Sequence, residues 1–166
     1  MRALERLGHN VVAVNTVDPW WRVSWTSKHI QKRMHCGPTI DLINREVLSK
    51  AREFKPELIW AEKQEFLRPG TIEILRRYGA RTVHFTPDPY FSLYWKRTRF
   101  MDKAMKLFDV LVYCKSYERK DYERLGTQTI YMPLGFCDEV HRPLSDGSSK
   151  FDCAIGFLGG WEPRRE

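Results

Sequence analysis

Long apolar runs are missing from this chain of 166 residues. No stretch approaches the roughly 20 consecutive apolar residues needed to cross a bilayer. The opening Met1-Arg2-Ala3-Leu4-Glu5-Arg6-Leu7 is amphipathic where a secretory signal would be apolar. A soluble, cytoplasmic protein is therefore expected. Glycine and proline show no excess, at 10 and 9 residues, which excludes collagen-like and low-complexity chains. With 42% hydrophobic and 30% charged residues, the balance is that of a globular domain with a real core. The length admits one full domain and not two.

Cysteine is rare too, and unpaired in pattern. Cys36, Cys114, Cys137 and Cys153 form no Cys-x-x-Cys, and Cys114 and Cys153 lie inside apolar runs. All four are read as reduced core thiols. His29, His35 and Cys36 are close in sequence, but no second ligand pair at zinc spacing follows, so no metal and no cofactor is expected.

Acidic charge is the minority: 28 Lys and Arg against 21 Asp and Glu give a net +7. The excess is central. Residues 61–120 hold 13 basic and 7 acidic side chains, whereas residues 121–166 hold 5 and 8. Such a basic middle points to a face that meets anions, whether sugar phosphates, lipid headgroups or nucleic acid.

What is present is a repeated alternation of short β-branched runs with helical patterns. An amphipathic helix over Ala3 to Leu7, closed by Gly8, leads to a predicted strand at Asn10 to Val17. The segment Asp18 to Pro38 reads as a long loop. Ile40, Ile43, Val47, Ala51 and Phe54 recur at helical spacing over Thr39 to Phe54, and Pro56 blocks continuation. Then come a strand at Glu57 to Ala61, a helix from Pro69 to Gly79, a strand at Arg81 to Thr86 and a helix from Trp95 to Phe108. A strand at Val110 to Cys114, a short helix capped by Ser116 and ended by Gly126, and a strand at Thr129 to Met132 complete the pattern. Strands separated by helices need crossover connections, which build a parallel sheet with helices on both faces, a Rossmann-like α/β domain. Ser145 to Lys150 reads as a polar linker. The apolar run from Cys153 to Leu158, with Gly159 and Gly160 after it, reads as the start of a second domain over residues 151–166. The first domain then spans residues 1–144.

In open α/β sheets ligands bind beyond the carboxyl ends of the strands. The residues there are Glu62 and Lys63, then Pro87, Asp88 and Pro89, then Lys115 and Ser116. Asp88, fixed between two prolines, is either a rigid general base or an Asx cap of the next turn. His84 alternates with Val83 and Phe85 and is read as packed in the sheet rather than as a proton shuttle. Lys96, Arg99, Lys103 and Lys106 form a basic stripe at helical spacing. It is either a solvated face or a surface for an anionic acceptor or a membrane. The aromatic groups Trp20, Trp21 and Trp25, and Tyr90, Phe91, Tyr94 and Trp95, either bury the loops or stack on sugars or bases.

One stretch is more specific. From Val110 onward the order of strand, Ser116 with its helix, Leu125-Gly126, strand, Pro133-Leu134-Gly135 and His141-Arg142-Pro143 resembles the close of the N-terminal half of GT-B glycosyltransferases. With Leu4 to Val11 (LERLGHNV), TVHFTPDP and FDCAIGFLGGWEPRRE, the chain most resembles the CgeB-like, spore-protein-type members. The resemblance implies an acceptor-side domain, a nucleotide-sugar donor and a saccharide, protein or lipid-linked acceptor. Asp88 would then be the base, with Glu62, Lys63, Lys115 and Ser116 on the acceptor side. Gly159, Gly160, Arg164 and Arg165 would meet the donor pyrophosphate. It also implies that an opening strand and most of a donor domain are lacking, so that the isolated chain is expected to be inactive. The competing expectation is a non-catalytic basic module for nucleic acid or another anionic polymer; under the glycosyltransferase reading nucleic acid is not a partner.

Overall fold

Pro38 begins the longest helix and Lys55, in the left-handed region at φ 51°, ends it. This computed structural model describes residues 2–92, 97–135 and 137. The chain divides into two compact units, Met1–Leu134 and Gly135–Glu166; all that follows concerns the first. Gly159, Gly160, Arg164, Arg165, the linker at Ser145 to Lys150, and Tyr94, Trp95 and Lys96 lie outside the described residues.

The elements run α1 (Arg2–Arg6), a 3-10 turn (Asp18–Arg22), α2 (Trp25–Met34), α3 (Pro38–Phe54), β1 (Leu58–Glu62), α4 (Pro69–Arg77) and β2 (Arg81–Thr86). After them come α5 (Arg99–Met105), β3 (Val110–Tyr113), a 3-10 turn (Ser116–Glu118), α6 (Arg119–Glu123) and β4 (Gln128–Tyr131). The four strands form one all-parallel sheet in the order β1-β2-β3-β4. The protein is thus an α/β domain of Rossmann-like type, as the alternation of strands and helices dictates.

The register sorts the side chains. Pairing of Ala61 with His84 and of His84 with Leu111 puts these on one face with Tyr113. On that face Ile72 of α4, Met101, Ala104 and Met105 of α5, Phe108 and Tyr122 of α6 join Ala61, Leu111 and Tyr113 in the main core. A strand order that only advances, with crossovers of one hand, places all three intervening helices on the same side, which is why they share one core. The opposite face carries a separate apolar group of Val83, Phe85, Val110, Val112 and Cys114.

Several expectations are corrected. Asn10 to Val17 forms no strand; Val12 and Val17 are exposed, and the Asn15 carboxamide instead accepts the N–H groups of Val17 and Asp18 in an Asx-type turn. A β-branched run becomes a strand only when its backbone finds a ladder partner. The supposed loop from Asp18 holds the 3-10 turn and α2, whose N-cap is Ser24. Among the described residues α5 starts at Arg99, because the Thr98 hydroxyl accepts the Met101 N–H at 3.1 Å and caps it there. Ser116 does not cap its helix through its side chain; Lys115 occupies the N-cap position and Ser116 opens the 3-10 turn. Cys36 is exposed beside the end of α2 rather than in the core, whereas Cys114 is buried.

Candidate functional site

The Lys63 ammonium and the Asp88 carboxylate form an ion pair across the carboxyl ends of β1 and β2. Lys63 ends β1 with its backbone in the left-handed region at φ 49°, held there because its N–H extends the ladder to the Phe85 carbonyl at 2.9 Å. A non-glycine residue pays about 1 kcal/mol or more for that conformation, so the turn is a fixed feature of the site. The hydrogen bond to Asp88 raises the affinity of Lys63 for its proton. With both side chains half-exposed, the pair contributes at most about 1 kcal/mol and yields readily to a polar ligand.

The loop that carries Asp88 is staked from below. Glu118, buried in the turn after β3, accepts the Tyr90 N–H at 2.8 Å and the Ser92 N–H at 2.7 Å. The Tyr90 hydroxyl donates to Asp102 of α5 at 2.8 Å, and burial pushes that phenol well above its ordinary range. Arg97 lies over the rings of Phe91 and Tyr90 and pairs with Asp102.

These groups border a cleft of about 400 Å³. It is lined by His84 and Thr86 of β2 and by Asp88, Tyr90 and Arg97. The lining also includes His29, Lys32, Arg33 and His35, from α2 and its end, together with Lys63, Glu65 and Phe66. His84 is 1% exposed. Its Nε2–H donates to the Gln64 carbonyl at 3.2 Å, which leaves Nδ1 to accept from the Thr86 hydroxyl at 3.1 Å. Burial drives its pKa down to about 4, so it is a neutral imidazole near pH 7. His35 caps α2 in the left-handed region at φ 48° and stacks on Phe100 at 5.1 Å; burial lowers its pKa as well.

The α2 wall is set by two buried amides. Gln31 donates to Ser27 and accepts the Thr39 N–H at 2.9 Å, tying α2 to the start of α3. Gly37 between them sits at φ 127°, and a Cβ there would meet Gln31 at 2.5 Å. Asn44 of α3 donates to the Ile40 and Phe66 carbonyls and accepts from the Arg68 N–H and the Thr71 hydroxyl at 2.7 Å. All four of its hydrogen-bonding positions are used, and the segment between β1 and α4 is thereby fixed to α3.

Of the acceptor-side residues expected from sequence, the structure brings Lys63 and Asp88 together in the cleft. Glu62 is exposed at the end of β1, and Lys115 and Ser116 follow β3; none of the three lines the cleft. Of the aromatic residues, Trp20 is buried against Phe66 at 5.0 Å, and Tyr90 is buried beside Asp88. Trp21 and Trp25 are 82% and 73% exposed. On the basic stripe, Lys103 and Lys106 are exposed. Lys32 and Arg33 escaped the sequence reading, which weighed His29 and His35 only as metal ligands; the signal for the helix was Ser24 as a cap with two cations in the last turn.

A broader, shallower depression lies at the amino end of the sheet, lined by Arg76, Arg77, Arg81 and Asp109 among others. Its arginines are engaged, with Arg76 on Asp109, Arg77 near Glu73 and Arg81 on Gln128. Among the described residues no group of three or more His, Cys, Asp or Glu side chains converges as a metal site would need, and no helix is long and apolar enough to cross a membrane. No family model matches the chain, and no curated protein matches it in sequence.

Proposed function

We propose that the cleft is the acceptor side of a glycosyltransferase that uses a nucleotide-sugar donor. The observation that carries this reading is the position of Asp88: a carboxylate on a proline-fixed loop, at the carboxyl end of a parallel strand, inside a cleft of about 400 Å³. In the reaction an acceptor hydroxyl forms a bond to the anomeric carbon. The bond from that carbon to the phosphate oxygen breaks, its electron pair leaves with the nucleoside diphosphate, and Asp88 takes the hydroxyl proton. Lys63 holds the carboxylate in place and is displaced from it as the hydroxyl binds. Donor contacts from Gly159, Gly160, Arg164 and Arg165 belong to the same proposal.

The test combines binding with turnover. Saccharide acceptors are expected to perturb the NMR signals of Lys63, Thr86 and Tyr90. The isolated chain is expected not to transfer from UDP- or GDP-sugars; mixed with a donor domain, its transfer is expected to fall at least about a hundredfold in Asp88→Asn, the range a general base supplies. Saccharides that leave the cleft signals unmoved, or an Asp88→Asn variant that transfers at the parental rate, would overturn the reading. Tight nucleic-acid binding that weakens steeply with salt, in their place, would favour the basic binding module.

A further inference from the structure

Within the cleft the charges do not balance, and the imbalance is local. Lys32, Arg33, Lys63 and Arg97 face the cavity against Glu65 and Asp88. Lys63 is matched by Asp88, and Arg97 by Asp102. Lys32 and Arg33 have no carboxylate partner among the described residues. Both stand in the last turn of α2, where the helix end presents the equivalent of about half a negative charge; two full cations exceed that together with Glu65, the remaining carboxylate of the lining.

Lys32 is also held rather than free. Its ammonium lies 5.3 Å from the Trp20 ring centroid and 5.4 Å from that of Phe66. A cation–π contact fixes an ammonium without neutralising it and leaves its N–H groups for an anion. His29 and His35 add ring nitrogens to the same lining. Lining the same cleft as Asp88, Lys32 and Arg33 have the charge and the N–H donors for a tetrahedral oxyanion.

We infer that the α2 wall is a phosphate subsite, and that the substrate whose hydroxyl meets Asp88 carries a phosphate group bound by Lys32 and Arg33. The identification of that substrate as an acceptor rests on the glycosyltransferase reading; the phosphate subsite itself does not. The phosphate belongs either to a soluble sugar phosphate or to a lipid headgroup. Both sources present the same chemistry to Lys32 and Arg33.

Titration of the full chain with glucose 1-phosphate and with glucose, followed by calorimetry and NMR, tests the subsite. Glucose 1-phosphate is expected to bind at least about tenfold more tightly than glucose and to shift the signals of Lys32, Arg33 and His35. Lys32→Ala and Arg33→Ala should each weaken it about tenfold. Lys32→Arg should restore most of the loss, and Lys103→Ala, on an exposed lysine that does not line the cleft, should change nothing. A second arm uses vesicles of phosphatidylcholine with and without phosphatidic acid: cosedimentation that requires phosphatidic acid and is lost in Lys32→Ala assigns the phosphate to a lipid, and its absence alongside glucose 1-phosphate binding assigns it to a soluble substrate. If neither probe depends on Lys32 and Arg33 while circular dichroism shows both variants folded, the subsite is refuted. Phosphate binding alongside an Asp88→Asn variant that, mixed with a donor domain, transfers at the parental rate would instead retain the subsite and refute the transferase.

Discussion

The carboxylate of Glu118 accepts the backbone N–H of Tyr90 at 2.8 Å, joining the turn after β3 to the loop after β2. Sequence separates the two by 28 residues, and the sheet brings them together because β2 and β3 are neighbours. The loop bearing Asp88 therefore takes its position from a buried acid on another strand's connection. Glu118→Ala leaves the Tyr90 and Ser92 amides without their acceptor, and we expect a loss of about 2–4 kcal/mol in stability. Amide hydrogen exchange should accelerate at Tyr90 and Ser92 before it does in β2.

Asn44 is the second buried polar anchor. Asn44→Ala strands the Phe66 carbonyl, the Arg68 N–H and the Thr71 hydroxyl, at a cost of about 3 kcal/mol. Asn44→Asp should be nearly as damaging, since a carboxylate cannot donate to the two carbonyls that the amide serves. Urea unfolding of both variants measures this, with an unchanged slope expected and a lower midpoint.

Gly37 links α2 to α3 where no other residue fits. Gly37→Ala combines a strained φ with a Cβ driven into Gln31, and thermal unfolding should report a loss of about 2 kcal/mol. The same variant should weaken ligand binding at the α2 wall, because Gln31 and Thr39 lose their common geometry.

Acid should destabilise the fold in two stages. His84 has its pKa depressed by burial to about 4 in the folded state, against roughly 6.5 unfolded. Its contribution is complete above pH 6.5. As the pH falls toward 4 the unfolded chain takes up a proton that the folded one refuses, and stability drops by on the order of 3 kcal/mol. Asp109 acts lower. Burial favours its protonation, but the two hydrogen bonds from Thr82 and the charge of Arg76 outweigh it and lower the pKa. Its share is present above about pH 4 and disappears as the pH falls through the lowered value. Denaturant titrations from pH 8 to 3 should show the first loss in the parent and not in His84→Gln.

The strands β1 to β4 and the helices α3 and α4 were legible because their signals are local: β-branched runs, apolar spacing of three and four, and punctuation by Pro56, Pro69 and Gly79. Asp88 and Lys63 were legible as residues beyond strand ends. What was hidden has a common cause. Asn10 to Val17 carries strand chemistry without a ladder, and only tertiary structure decides pairing. In α2 the buried residue is Gln31, while Trp25, Ile30 and Met34 face outward, so its hydrophobic pattern is inverted. Asn44 and Glu118 are polar groups that face inward, which a pattern of apolar positions counts as surface. Asn44 did lie on the apolar stripe of Ile40, Ile43 and Val47, and that placement was the available clue.

The claim that everything functional rests on is that ligand enters at the carboxyl ends of β1 and β2. An isotope-labelled chain titrated with a sugar phosphate and read by two-dimensional NMR tests it in one measurement. The account predicts saturable shifts at Lys63, Thr86, Asp88 and Tyr90, with Arg76, Arg81 and Asp109 at the other end of the sheet unmoved. Shifts confined to that amino-end depression, or no saturable shift anywhere, would contradict it.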